Sequence, residues 1–184
     1  MNLKDTKKIT RHDNRGQYLE EWIEQANRIY LIKNKAVITK IPTPWKVQRK
    51  YSPYTKSYQI YNAFPEAKST VDFGGTASFQ SIWFDVKTTK NKTSFPFANI
   101  SKHQIDYLEK VAIQGGKAFF LIHSEFLKKT WLLWIDQFFS FTGETKRKSV
   151  PFAWLDANCE IVPKGHGIVL DYLPLVLKRK EAEI

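Results

Sequence analysis

The chain has 184 residues, 42% of them hydrophobic, and 29 Lys and Arg against 18 Asp and Glu give it a net charge of +11. That length suits one domain with a sizeable core, and the basic surplus points to a polyanion held through phosphate contacts, with nucleic acid the leading candidate and a purely solubilising surface the alternative. A single cysteine, Cys159, excludes an internal disulfide and a cysteine-rich zinc site. No apolar run is long enough to span a membrane and the N-terminus carries charges where a secretion signal needs an apolar core. The expectation is therefore a soluble, cytoplasmic protein with an inert buried thiol and no membrane partner.

Residues 1–14 hold Lys4, Lys7, Lys8 and Arg11 with almost nothing to bury, which predicts a flexible basic arm that either tracks DNA or simply frays. From about Gly16 to Ile32, Tyr18, Leu19, Trp22, Ile23, Ala26, Ile29 and Tyr30 recur at steps of three and four, the pattern of an amphipathic helix. Ala36–Thr39 reads as a strand, ended by Pro42 and Pro44. The following stretch, 45–68, interleaves Trp45, Tyr51, Tyr54, Tyr58, Tyr61 and Phe64 with Lys46, Arg49, Lys50, Lys56 and Lys68 and has one acid, Glu66. Two extended arms, 46–51 and 57–64, separated by Ser52-Pro53, predict a projecting β-ribbon. Its cations would meet phosphates. Its aromatic rings either stack on exposed bases or pack on the ribbon's own base.

The stretch 69–92 carries the chemistry. It predicts a short strand ending near Asp72, a turn at Gly74-Gly75-Thr76, and a return strand from about Phe79 to Thr88, because Gly-Gly between β-rich runs suits a tight return. Along the return strand Ile82, Phe84 and Val86 share one face while Ser81, Trp83, Asp85 and Lys87 share the other. Two carboxylates can hold a hard divalent cation through oxygen, and an ammonium beside them can orient a water or steady charge on phosphorus. An Asp-x-Lys on a strand can equally be a solvated salt-bridging face.

Beyond it, Lys90–Ser94 is a polar loop beside the expected site. Ser101 is placed to cap a helix whose Ile105, Leu108, Val111 and Ala112 face the core and which stops at Gln114-Gly115-Gly116. The run 117–123 suits an inner strand covered on both faces, and 130–135 a further strand, after which Asp136–Phe141 turns away. A basic loop at 143–149 either grips a phosphate backbone or faces solvent. Residues 151–157 are weakly helical, His166 lies in a loop as a surface residue, and 168–172 is a strand or helix entry before an apolar segment and a basic tail.

Asp72 followed by Asp85-Val86-Lys87 resembles the active-site hairpin of the PD-(D/E)xK nucleases. RGQYLE at 15–20, KIPTP at 40–44, STVDF at 69–73, FDVKTTKNKTSFP at 84–96 and HQI at 103–105 keep order and spacing, and together resemble the RecU-type Holliday junction resolvases of Gram-positive bacteria and their phages. The resemblance runs from about Asn14 to Leu177. It implies a restriction-endonuclease-like α/β fold, a mixed β-sheet flanked by helices in one nuclease domain over 15–184, with the ribbon at about 42–68 as a stalk entering a four-way DNA junction.

It further implies a homodimer, Mg²⁺ with Mn²⁺ able to substitute, Asp72 and Asp85 as metal ligands, Lys87 orienting the water, and Glu20 as a further acid from the first helix. The resemblance also puts Gln104, as a further catalytic residue, and Thr70 near the site. The family commonly has Glu at position 85, so the shorter Asp here departs from the pattern and could alter metal preference. Arg15, Lys46, Arg49, Lys50, Tyr54, Lys56, Tyr58, Lys90 and Lys92 are the candidate DNA contacts, and a recombinase is a candidate further partner. The competing readings are a non-catalytic DNA-binding modulator of recombination with the same fold, and a nuclease of that fold acting on duplex DNA.

Overall fold

The computed structural model of the chain describes residues 17–65 and 70–179. The basic arm at 1–14, Arg15 and Lys68 lie outside the described residues. The apolar stripe at 18–30 does form a helix, α1 (Gln17–Ile32), and it buries Leu19, Ile23, Ala26 and Tyr30. A six-stranded mixed sheet receives it, in the order β1 (Val37–Lys40), β4 (Phe73–Ala77), β5 (Gln80–Thr89), β7 (Lys117–Ser124), β8 (Lys129–Trp134) and β10 (Glu160–Ile161). β5 and β7 run parallel, and the other neighbours in the sheet run antiparallel. Between β1 and β4 the chain makes a separate two-stranded ribbon, β2 (Trp45–Ser52) and β3 (Ser57–Pro65). A smaller pair, β6 (Ser94–Pro96) with β9 (Ser149–Pro151), closes one side.

Both faces of the sheet are covered, so its central strand has no polar alternation. All eight residues of β7 are buried, as a strand with helices on both sides requires. On one face α1 and α5 (Leu173–Lys178) enclose Phe73, Phe84, Phe119 and Tyr172. Phe84 stacks on Phe73 and Phe119 with ring centroids 5.1 and 4.8 Å apart, and each fully buried ring of this kind contributes about 1.5–3 kcal/mol. Two pairs of polar groups in this layer meet each other. Tyr30 donates to Asp171 at 2.7 Å, and Tyr172 donates to Asn27.

The opposite face is closed by α2 (Lys102–Ile113), α3 (Ile135–Glu144) and α4 (Phe152–Asn158), around Phe120, Trp131, Leu133 and Phe138. Cys159 belongs to this core, where burial pushes its thiol up to about 12, in keeping with an inert role. Among the described residues no helix is long and apolar enough to cross a membrane.

Two local expectations need correction. Gly74 and Gly75 are strand residues of β4, and the reversal lies at Ser78-Phe79, whose φ values of 48° and 64° are those of a tight hairpin turn. The glycines serve close approach. A Cβ on Gly74 would lie 2.5 Å from the Trp83 ring, and one on Gly75 would lie 2.0 Å from the Val37 carbonyl oxygen. Asp72 accordingly precedes its strand instead of ending one.

The second correction concerns Asp136–Phe141, which continues as helix α3. Its Ile135, Phe138 and Phe141 bury at three-residue steps, a period hidden in the sequence by the apolar strand running straight into it.

Candidate active site

The candidate site lies where the β4–β5 hairpin meets the root of the ribbon. Lys40 at the end of β1 pairs with Phe73 at the start of β4, and the Ile41 N–H donates to the Asp72 carbonyl at 2.8 Å. The chain therefore leaves the sheet for the ribbon and returns from it at one point, and Asp72 stands there. The carboxylate of Asp72 accepts the Val86 N–H at 2.9 Å. This bond docks Asp72 beside Asp85, although 12 residues separate them in the chain.

Asp85 is fully buried, on the sheet face covered by α2. Lys87 Nζ donates to its Oδ1 at 2.5 Å and its Oδ2 at 3.2 Å. Gln104 Nε2 donates to Oδ2 as well, and the Gln104 Oε1 accepts the Ser101 N–H at 3.1 Å, so this side chain is held at both ends at the start of α2. Ser101 is the N-cap, as expected.

The electrostatics are strained. Burial first, and then the neighbouring Asp72 carboxylate, hold the Asp85 carboxyl well above the ordinary carboxylate range, against the opposing pull of Lys87. A buried carboxylate with a second one beside it favours a cation between them.

The donor set fits a hard divalent ion in kind, since it is made of carboxylate oxygens, and in number it suits an ion such as Mg²⁺ that uses one or two carboxylates and keeps several waters. Among the described residues no three of His, Cys, Asp and Glu form a metal-holding group. Glu20 is turned to another partner. Its carboxylate is 2.5 Å from Lys40 Nζ, with Glu24 at 3.5 Å from the same ammonium. Lys40 carries no local periodic signal linking it to Glu20, which is 20 residues away in the chain, and only the placement of α1 over β1 reveals the pair.

The other predicted residues divide by location. Thr70 is exposed two residues before Asp72. Lys90 and Lys92 are exposed beyond the end of β5, Lys90 within 3.8 Å of Glu125 and Lys92 over the Phe126 ring at 5.4 Å. Lys46, Arg49, Lys50, Tyr54, Lys56 and Tyr58 are all exposed on the ribbon, Tyr54 at its tip by 99%. Of the ribbon's alternative readings, packing on its own base does not hold for these rings, because Trp45, Tyr51, Tyr58 and Tyr61 are also exposed.

Strand alternation sorts the ribbon residues by face. Trp45, Val47, Arg49 and Tyr51 alternate with Lys46, Gln48 and Lys50 on β2. Opposite them, the register shift at Gln48/Arg49 inserts Tyr61 as an extra residue of β3. Tyr51 and Tyr58 pair across the strands with ring centroids 5.5 Å apart.

A mixed sheet carrying a buried aspartate, a second aspartate beside it and a strand lysine is the arrangement expected of a nuclease. The family model described as Recombination protein U matches residues 14–178, and the chain belongs to that family. Among curated relatives, the Holliday junction resolvase RecU of Oceanobacillus iheyensis is 36% identical over 168 residues, covering 90% of this chain and 86% of that one. The Holliday junction resolvase RecU of Bacillus subtilis is 31% identical over 173 residues, covering 92% and 83%. Among solved structures, Archaeoglobus fulgidus Hjc, a Holliday junction resolvase, aligns at a TM-score of 0.38 and 13% identity over 70% of this chain and 83% of that chain.

Proposed function

We propose that this protein resolves four-way DNA junctions during recombination and repair, cutting by Mg²⁺-dependent phosphodiester hydrolysis, and that it works as a homodimer in the cytoplasm. The observation that carries the reading is the fully buried Asp85, held by Lys87 and Gln104 beside Asp72, at the point of the sheet from which a basic aromatic ribbon leaves. Bound there by Asp72 and Asp85, Mg²⁺ or Mn²⁺ would neutralise charge on the scissile phosphate and lower the pKa of an attacking water. Lys87 presents an ammonium from the same strand face, positioned to orient that water and steady charge on the phosphoryl oxygens. Gln104 acts through Asp85: with its amide oxygen fixed by the Ser101 N–H, its NH₂ holds the carboxylate in one orientation. Glu20, paired with Lys40 at the end of β1, is the further acid of this reading.

The ribbon supplies the choice of substrate. Exposed tyrosines can stack on bases unpaired at a crossover, while Lys46, Arg49, Lys50 and Lys56 meet converging phosphates. Two identical sites related by a two-fold axis would match the two strands that must be cut, so paired incision follows from a homodimer and a monomer would only nick. The basic arm at 1–14 and the domain 15–184 complete this picture, with a recombinase as a further partner.

The test is a synthetic four-way junction incubated with and without Mg²⁺, beside linear duplex of the same sequence. Symmetric cuts confined to the junction are expected only with the metal. Binding without cutting under all metals would favour the non-catalytic modulator, and equal cutting of duplex the general nuclease. Replacing 45–66 by a short Gly-Ser link should leave the sheet folded and lower the preference for junctions roughly 10- to 100-fold.

A further inference from the structure

A second exposed aromatic element lies at the same end of the sheet, and nothing above gives it a role. β5 and β7 run parallel with Thr89 level with Ser124, so their C-terminal ends lie side by side. The four-residue turn Glu125–Lys128 that joins β7 to β8 therefore follows Asp85 along the strands by about four residues, roughly 13 Å. The turn is fastened to the catalytic strand. The Glu125 N–H donates to the Thr89 carbonyl at 2.9 Å and the Leu127 N–H to Ser124 Oγ at 3.1 Å. Lys90 meets Glu125, and Lys92 lies over the Phe126 ring.

Held in this frame, Phe126 is 55% and Leu127 40% exposed, and Lys128 closes the turn at a φ of 53°. Two apolar side chains are thus presented to solvent at the catalytic end of the sheet, with Lys90, Lys92 and Lys128 around them and Glu125 as the acid within the turn. Apolar groups ringed by cations suit a surface with apolar sugar walls and anionic rims. A duplex has that construction, with sugars and base edges in its minor groove between two phosphate rows.

We propose that the Glu125–Lys128 turn is a second DNA-contacting element, laid on the duplex arm next to the scissile phosphate. Phe126 and Leu127 pack against sugars and base edges in the minor groove, while Lys90, Lys92 and Lys128 meet the phosphates on either side. The ribbon selects the crossover, and the turn fixes how far from it the cut falls. The proposal rests on the junction-cutting reading.

The test compares wild type with Phe126→Ala/Leu127→Ala and with Phe126→Trp, each checked for an unchanged melting temperature. It measures junction affinity and maps cut positions to the nucleotide. The double alanine variant is expected to bind both four-way and linear DNA about fivefold or more weakly, with the junction preference kept, and to scatter cuts over neighbouring positions. Phe126→Trp should restore affinity and register. Wild-type affinity and an unaltered cut map in the double variant would overturn the inference while leaving junction cutting intact, whereas a wild type that cuts no junction removes the functional reading itself. A change in sedimenting mass without a change in DNA affinity would assign the turn to a protein contact and likewise overturn it.

Discussion

The ribbon and the sheet carry similar residues put to opposite uses. In β7 and its neighbours Phe84, Phe119, Phe120 and Trp131 are fully buried, with Phe84 stacked on Phe119, whereas along β2 and β3 Trp45, Tyr51, Tyr58, Ile60 and Tyr61 are open to solvent. A two-stranded ribbon standing alone has little burial to stabilise it. The cross-strand pair Tyr51 and Tyr58 helps hold it together without removing either ring from water. Apolar surface kept exposed at that cost marks a region that completes its contacts with another molecule. On the proposed reading the sheet answers for folding, and the ribbon for recognition.

The sharpest way to break that division is at the joint between the two. Asp72→Asn removes one carboxylate charge of the proposed metal site and almost no volume, so junction cleavage should fall on the order of a thousandfold or more while binding and melting temperature hold. Rates near wild type in a single-turnover assay would take Asp72 out of the chemistry. Next in size is a pair of truncations measured by urea denaturation. Phe84→Ala should cost about 3–5 kcal/mol because it empties a stacked core, whereas Tyr51→Ala with Tyr58→Ala should cost about 1 kcal/mol or less. Comparable losses in the two would mean that the ribbon belongs to the folding core.

A smaller effect should follow from charge. Changing Lys46, Arg49 and Lys50 together to Gln should flatten the dependence of log affinity on log salt by about 0.9 for each phosphate no longer neutralised. An unchanged slope, read by fluorescence anisotropy across a salt series, would show that these cations face no phosphate.

The smallest effect concerns Asp85, and its sign runs against intuition. Its folded-state pKa lies above its unfolded value, so its contribution to stability is fully present below the ordinary carboxylate range and is lost as the pH rises through the raised value. With metal removed by a chelator, Asp85→Asn should therefore raise stability near neutral pH by on the order of 1 kcal/mol, and the gain should shrink towards pH 4. The same variant should not cut. A lower melting temperature at neutral pH would show that the pairing of Asp85 with Lys87 outweighs its burial.

Much of this could be read from the chain alone, because it depended on short-range periodicity. The stripe of α1, the alternation of β5 that sets Asp85 and Lys87 on one face, and the paired arms of the ribbon repeat at intervals that backbone geometry dictates. Ser101 and Gln104 lie three residues apart, a spacing that suits a helix start.

What the tertiary structure decided was which distant groups meet, and in what dielectric. Gly74 and Gly75 look like a turn until Trp83 and Val37 are seen pressing on them, and the helix after Trp134 is invisible because strand and helix are both apolar there. Glu20 finds Lys40 only once α1 lies over β1. An Asp-x-Lys pair reads the same on a wet face as on a dry one, and it is the packing of α2 across the sheet that buries Asp85, raises its proton affinity and leaves the aspartate pair disposed to hold a cation.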